Sequence, residues 1–145
     1  MGSMETELAE LSAEFEVLGA NTPEGWEERY RYVIDLGRDL TPLSEAERNN
    51  ANKVRGCASQ VWLVTEPHAD GTLGFRGDSD AHIVRGLIAI LLRLFSGRAP
   101  AEILGFDAAA AFEQLGLKGA LSQQRSNGLA SMVARIRADA ERAHG

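Results

Sequence analysis

The sequence predicts an α+β domain with a small antiparallel β-sheet, about three strands, packed on one face by helices. Three observations lead there. Apolar residues recur at spacings of three and four before residue 40 and again after residue 82, the period of an amphipathic helix. Between residues 52 and 76 the period falls to two, as in a half-buried strand. The strand-like segments form one block flanked by helical ones, which favours an antiparallel sheet with helices on one side over a parallel α/β arrangement.

Each element follows from local signals. Leu8, Leu11, Phe15 and Leu18 line one face of a first helix, and Gly19 marks its end. Thr22 is placed to cap a second helix that opens at Pro23 and carries Trp26, Tyr30, Val33 and Ile34 on its apolar stripe, with Leu40 and Pro42 beyond its end. Ser44 and Glu47 have the spacing of a capping box, which predicts a short helical stretch over Glu45 to Asn50 before the polar run Asn49-Asn50-Ala51-Asn52. Val61 and Leu63, then Leu73 and Phe75, mark two strands. Asp70-Gly71 supplies a hairpin turn between them. A shorter strand near Asn52 to Arg55 is expected to pair with Ser59 to Val64, leaving Cys57 on the tip between them. Ser79 or Asp80 is expected to cap the central helix, which carries Ile83, Val84, Leu87, Ile88, Leu91, Leu94 and Phe95 and ends before Gly97. Asp78 and Asp80 are read as caps rather than catalytic acids. Pro100 to Leu104 forms a single turn, Asp107 caps an alanine-rich helix that stops at Gly116, and Ser126 to Ala143 forms the last helix with Leu129, Met132, Val133 and Ile136 inward.

At 145 residues and 44% apolar content the chain matches one globular domain. Such a domain buries roughly two-thirds of its unfolded surface and needs neither disulfide nor structural metal. The opening Met1-Gly2-Ser3-Met4 resembles a cloning scar, so the domain is taken as residues 5–145. A lone cysteine and the lack of a signal-peptide pattern point to the reducing cytoplasm. A net charge of −6 gives no general attraction to nucleic acid or anionic lipid. The most apolar stretch, Gly86 to Phe95, is interrupted by Arg93 and is about half of the roughly 20 residues that span a bilayer. Neither nucleic acid nor membrane is expected as a partner.

Cys57 is the residue with obvious reactive potential. A free cysteine is often just a small buried hydrophobe. Here, however, Lys53 and Arg55 lie within four residues, and cations favour the nucleophilic thiolate, while Gly56 leaves room for an approaching group. Lys53 and Arg55 also read as ordinary solvated strand-edge charges. The three histidines, His68, His82 and His144, have no paired spacing, so no metal site is expected. A cysteine hydrolase would need a base, for which His82 is the candidate. Gly71-Thr72-Leu73-Gly74 lacks the strand-to-helix context of a phosphate loop.

The run Gly56-Cys57-Ala58-Ser59-Gln60-Val61-Trp62 resembles the active-site motif of the SufE family of sulfur acceptors, partners of cysteine desulfurases in iron–sulfur cluster assembly. Gly77-Asp78-Ser79-Asp80-Ala81, Ile83-Val84-Arg85-Gly86-Leu87 and Arg125-Ser126-Asn127-Gly128-Leu129 resemble further family segments in the same order and spacing. Together they cover about Trp26 to Ala140. Gln124 departs from an expected serine, and Arg55 stands where a proline is familiar. The resemblance implies a fold related to IscU-type cluster scaffolds. Those scaffolds use several cysteines and this chain has one, which implies a carrier instead.

The resemblance further implies that Cys57 receives persulfide sulfur from a desulfurase of the SufS type, to which Ser59-Gln60 inclines the reading. The chain would stimulate that enzyme and pass the sulfur to a scaffold complex of the SufBCD type, without being a stand-alone enzyme. Pyridoxal phosphate would belong to the desulfurase, and this chain would carry no cofactor. Lys53, Arg55, Gly56, Ser59, Gln60 and Arg125 are the expected loop-support or partner-binding residues, with Arg125 near the active loop. A surface cation at a helix start is the alternative for Arg125. The loop is expected to tuck against an apolar part of the sheet when unpartnered and to swing out on docking. A non-catalytic adaptor and a Cys57–His82 hydrolase remain the rival readings.

Overall fold

The computed structural model of the chain describes residues 3–18, 23–117 and 121–144. Ser3 opens the first helix, its hydroxyl accepting from the Thr6 N–H at 3.1 Å, and α1 runs Met4–Glu16 with Met4, Leu11 and Phe15 buried. Ser3 and Met4, set aside in the sequence reading, therefore cap and anchor that helix. The expected stop at Gly19 and cap at Thr22 lie outside the described residues. Helix α2 spans Pro23–Arg38 and packs on α3, His82–Phe95.

Two glycines decide how closely α2 and α3 approach. A Cβ on Gly86 would lie 1.9 Å from the Val33 carbonyl oxygen, and one on Gly37 would lie 2.5 Å from the Gly86 nitrogen. The two backbones touch where no side chain intervenes. Helix α3 is the centre of the core: Ile83, Val84, Leu87, Ile88, Ile90, Leu91, Leu94 and Phe95 are all buried.

The sheet has two strands, β1 (Val61–Pro67) and β2 (Leu73–Ser79), antiparallel with Val61 opposite Ser79 and Leu63 opposite Gly77. The hairpin turns at Gly71, whose φ of 89° only glycine adopts without strain, while the Asp70 carboxylate accepts from the Thr72 N–H at 3.0 Å. The expected third strand is reduced to one bridge, Lys53 opposite Trp62. Asparagine side chains account for the difference. The Asn52 N–H donates to the Asn49 side-chain oxygen at 2.9 Å and the Asn52 amide to the Glu47 carbonyl at 2.9 Å, so local bonds hold the chain in a turn up to Asn52 and leave room for the one bridge only.

Two further expectations are corrected. The Ser44–Glu47 box forms, with the Glu47 N–H donating to the Ser44 hydroxyl at 3.2 Å and the Ser44 N–H to the Glu47 carboxylate at 3.1 Å, yet it closes only a turn. With no apolar stripe to bury, one such box does not offset the cost of nucleating a helix. Neither Ser79 nor Asp80 caps α3; its N-cap is Ala81, with no side-chain bond. Both residues bond Gln60 instead, as described below.

Beyond α3 the chain forms α4 (Pro100–Gly105) and α5 (Ala108–Gln114), with the Asp107 carboxylate accepting from the Ala110 N–H at 3.1 Å. Helix α6, Gln123–His144, starts three residues before the predicted Ser126 because Ser122 caps it, its hydroxyl accepting from the Arg125 N–H at 3.2 Å. Gly77 lies on the sheet face towards α3, where its absent Cβ leaves room for Ile88. The opposite face, bearing Trp62 and Asp78, is crossed by residues 43–48. Helices thus cover one face of the sheet, and a polar connector crosses the other.

Candidate functional site

Cys57 sits on a tip fastened at both stems. On the N-terminal side the Val54 N–H donates to the Val61 carbonyl at 2.8 Å, and the Val54 side chain is buried. On the C-terminal side Gln60 is held three times: its N–H donates to the Asp80 carboxylate at 3.0 Å, and its carbonyl accepts from the Ser79 hydroxyl at 2.7 Å and the Asp80 N–H at 3.3 Å. Gly56 turns the chain into the tip with φ 89°. A Cβ there would lie 2.6 Å from the Ser131 hydroxyl oxygen, so both backbone conformation and space call for glycine.

The thiol is half-buried against α6. Its Sγ lies 3.6 Å from the Gly128 carbonyl oxygen, and a Cβ on Gly128 would be only 3.7 Å from Sγ. A cavity of about 90 Å³ adjoins it, with Val61, Val84, Leu87 and Met132 as apolar lining and Ser59, Gln124 and Arg125 as polar lining. The loop therefore tucks against helices α3 and α6 as well as strand β1, a wider seat than the sheet alone. Burial pushes the Cys57 thiol above its ordinary value. Lys53 and Arg55, expected to favour the thiolate, are not among the residues that line the thiol cavity. A thiol that is to react must leave the seat or meet a partner there.

The predicted supporting residues fall into distinct places. Arg125 lines the cavity and stacks over Tyr30 at 5.8 Å from the ring centroid, which keeps a cation in the first turn of α6 despite the unfavourable helix dipole. Ser59 lines the same cavity, and Gln60 is the C-terminal stem. Arg55 and Gly56 occupy the turn at the loop's exposed side. Lys53 forms the bridge to Trp62 and offers its carbonyl to Arg135 at 3.3 Å. His82 is exposed at the start of α3 and does not line the thiol cavity, so the structure supplies no base from it. Among the described residues no His, Cys, Asp and Glu side chains group in a way that could hold a metal ion.

Sequence reasoning missed the node beneath the C-terminal stem. Asp78, read as a cap, is 1% exposed and pairs with both Arg48 and Arg85, while accepting from the Leu43 N–H at 3.0 Å and the Ser79 N–H at 2.8 Å. Burial opposes its charge, but the bonds from Arg48, Leu43 and Ser79 and the charge of Arg85 outweigh it, so the carboxyl lies below its ordinary value. An aspartate inside a strand pattern, where aspartate is disfavoured, was the available signal.

The one thiol thus sits on a tethered tip beside a small pocket of mixed apolar and polar lining. The description "SufE: Fe-S metabolism associated domain" matches residues 17–140. The chain belongs to the SufE family. It is 55% identical over 119 residues to an uncharacterized SufE-like protein of Rhizobium meliloti, covering 80% of this chain and 85% of the relative. A second uncharacterized SufE-like protein, from Rhizobium etli, is 56% identical over 119 residues, covering 80% of each. The solution structure of a hypothetical protein from Thermus thermophilus shares the fold with a TM-score of 0.73, over 94% of this chain and 95% of the other, at 17% identity. SufE-family proteins serve iron–sulfur metabolism as sulfur-transfer partners of cysteine desulfurases. Among the described residues of this member, no helix is long and apolar enough to cross a membrane.

Proposed function

We propose that this chain takes sulfur from a cysteine desulfurase of the SufS type onto Cys57 and hands it to an iron–sulfur scaffold complex of the SufBCD type. The observation that supports this most is the placement of the one thiol, at the tip of a loop anchored on both stems and half-buried beside a small pocket of mixed lining, in a SufE-family chain. In the acceptance step the Cys57 thiolate attacks the terminal sulfur of the desulfurase persulfide. One sulfur–sulfur bond forms, the bond to the desulfurase cysteine breaks, and that cysteine leaves as a thiolate with the electron pair. The proton lost from Cys57 balances the one gained by the leaving thiolate or the new persulfide. No external oxidant is consumed, and pyridoxal phosphate is needed only on the desulfurase.

The raised thiol pKa in the seated position fits a carrier that reacts only once engaged. Thiolate fraction and access govern exchange, and both are low while the loop is closed. Without a second cysteine, no internal thiol can discharge the cargo. The working site is the cytoplasm, where such thiols stay reduced.

Incubation with a cysteine desulfurase, pyridoxal phosphate and cysteine, followed by intact-mass measurement, tests the proposal. Sulfur additions that a reductant removes are expected on the wild-type chain and not on Cys57→Ser. Desulfurase stimulation that survives Cys57→Ser undiminished would favour the adaptor reading.

A further inference from the structure

We propose that Arg135, on α6, is a positioning residue that clamps the N-terminal stem of the Cys57 loop and thereby keeps the thiol on its seat. The C-terminal stem has three bonds through Gln60, whereas the N-terminal stem meets β1 through the single bridge of residues 52–54. Backbone groups of successive residues in an extended segment point to opposite sides, and those of alternate residues to the same side. The Asn52 carbonyl accepts from the Leu63 N–H and the Val54 N–H donates to Val61, both towards β1. The Lys53 carbonyl between them therefore faces away, towards an edge that no strand among the described residues covers, and the Ala51 carbonyl of the preceding turn is bonded on the same side.

Arg135 occupies that edge. Its Nη2 donates to the Ala51 carbonyl at 2.8 Å and its Nη1 to the Lys53 carbonyl at 3.3 Å, so one guanidinium spans two carbonyls as a neighbouring strand would. The fork is itself held: Nε faces the Asp139 carboxylate at 3.4 Å, and that carboxylate, 6% exposed, accepts from the Thr65 hydroxyl of β1 at 2.6 Å. Its other oxygen is taken by Arg142.

The same helix carries the thiol's seat. Arg125 lines the cavity, Gly128 presents its carbonyl to Sγ, Ser131 abuts Gly56, and Met132 lines the pocket. Arg135 follows one turn on, so α6 fixes stem and seat in one register. Releasing the fork frees the stem to move relative to Gly128. The consequence for sulfur delivery rests on Cys57 being the acceptor, while the clamp itself is testable on the thiol alone.

The experiment is the rate of Cys57 alkylation by iodoacetamide across pH, without desulfurase, at a temperature well below melting. Arg135→Met keeps an apolar stem and removes the fork. It is expected to raise the rate about tenfold at neutral pH, corresponding to roughly one charged hydrogen bond. The pH midpoint of the reaction should also move down towards that of an ordinary thiol, because burial is what raises it. Arg125 is the charged group among the residues lining the thiol cavity and stays in place in every variant. Arg135→Lys, which reaches one carbonyl but cannot span two, should fall between wild type and Met, and it serves if Arg135→Met does not fold. Arg137→Met, on the same helix but bonded to the Ile103 and Phe106 carbonyls instead of the stem or Asp139, should leave both readouts unchanged. An unchanged rate and midpoint in Arg135→Met or Arg135→Lys, or an equal change in Arg137→Met, overturns the proposal. A shift in alkylation together with no sulfur uptake in the desulfurase assay leaves the clamp standing and removes the acceptor reading.

Discussion

Replacing Asp78 by alanine should destabilise the fold more than any other single change on the polar side of the sheet. The side chain is 1% exposed and bonds two guanidinium groups and two backbone N–H groups, which join residues 43–48, β2 and α3. Removing one partner of a buried ion pair costs about 3–5 kcal/mol, because the remaining charge stays buried without its counterpart. Arg48 is 41% exposed and can be taken up by water, while Arg85 is 19% exposed and cannot be to the same degree, which favours the lower end, about 3 kcal/mol. At about 2–4 °C per kcal/mol for a chain near this size, the melting temperature should fall by roughly 10 °C. Urea unfolding measures the free energy directly. The carboxyl lies below its ordinary value in the fold, so its contribution is complete above about pH 4 and disappears as pH falls through the depressed value. Asp78→Asn should therefore flatten the acid limb of the stability profile. A loss below about 1 kcal/mol in Asp78→Ala, or an acid limb identical in wild type and Asp78→Asn, would refute the assignment of Asp78 as a charged node.

Three glycines give further tests. Gly86→Ala forces a Cβ against the Val33 carbonyl and should cost about 3 kcal/mol or more in urea unfolding, whereas a cost near zero would show that α2 and α3 can separate freely. Gly56→Ala should cost about 1–2 kcal/mol through the positive φ alone, and Gly56→Asn less; equal costs would remove backbone conformation as the cause. Gly128→Val places methyl groups where Cys57 Sγ sits and should speed thiol alkylation several-fold, while Gly128→Ala, whose Cβ makes an ordinary 3.7 Å contact, should leave it little changed. Equal rates in wild type and Gly128→Val would show that the thiol does not rest on α6.

The helices and the hairpin were readable because their signals are local. Leu11 and Phe15 are buried where the three-and-four spacing placed them, and Asp70-Gly71 turns the hairpin as its residue types require. Signals failed where one side chain had two uses. Ser79 and Asp80 have good capping chemistry, yet both bond Gln60, a residue twenty positions earlier for Asp80, and only the β1–β2 pairing brings them together. A third strand was expected near Asn52 to Arg55, but the Asn49 and Asn52 side chains bond locally and only the bridge at Lys53 forms. The position of Cys57 on a tip between residues 54 and 61 was legible from the flanking strand signals, while its surroundings were not. Lys53 and Arg55 are near in sequence, but what sets the thiol's pKa is burial against Gly128, seventy-one positions away. Arg135 likewise reaches the loop stem only because α6 runs alongside β1.

The most direct measurement is peptide mass mapping of this chain after turnover with a desulfurase and isotope-labelled cysteine, under conditions that trap persulfides by alkylation. The labelled sulfur should appear on the peptide that contains Cys57, and it should move to the scaffold complex when that is added. Label that never reaches Cys57 while the desulfurase turns over, or that reaches the scaffold equally well through Cys57→Ser, would contradict the carrier account.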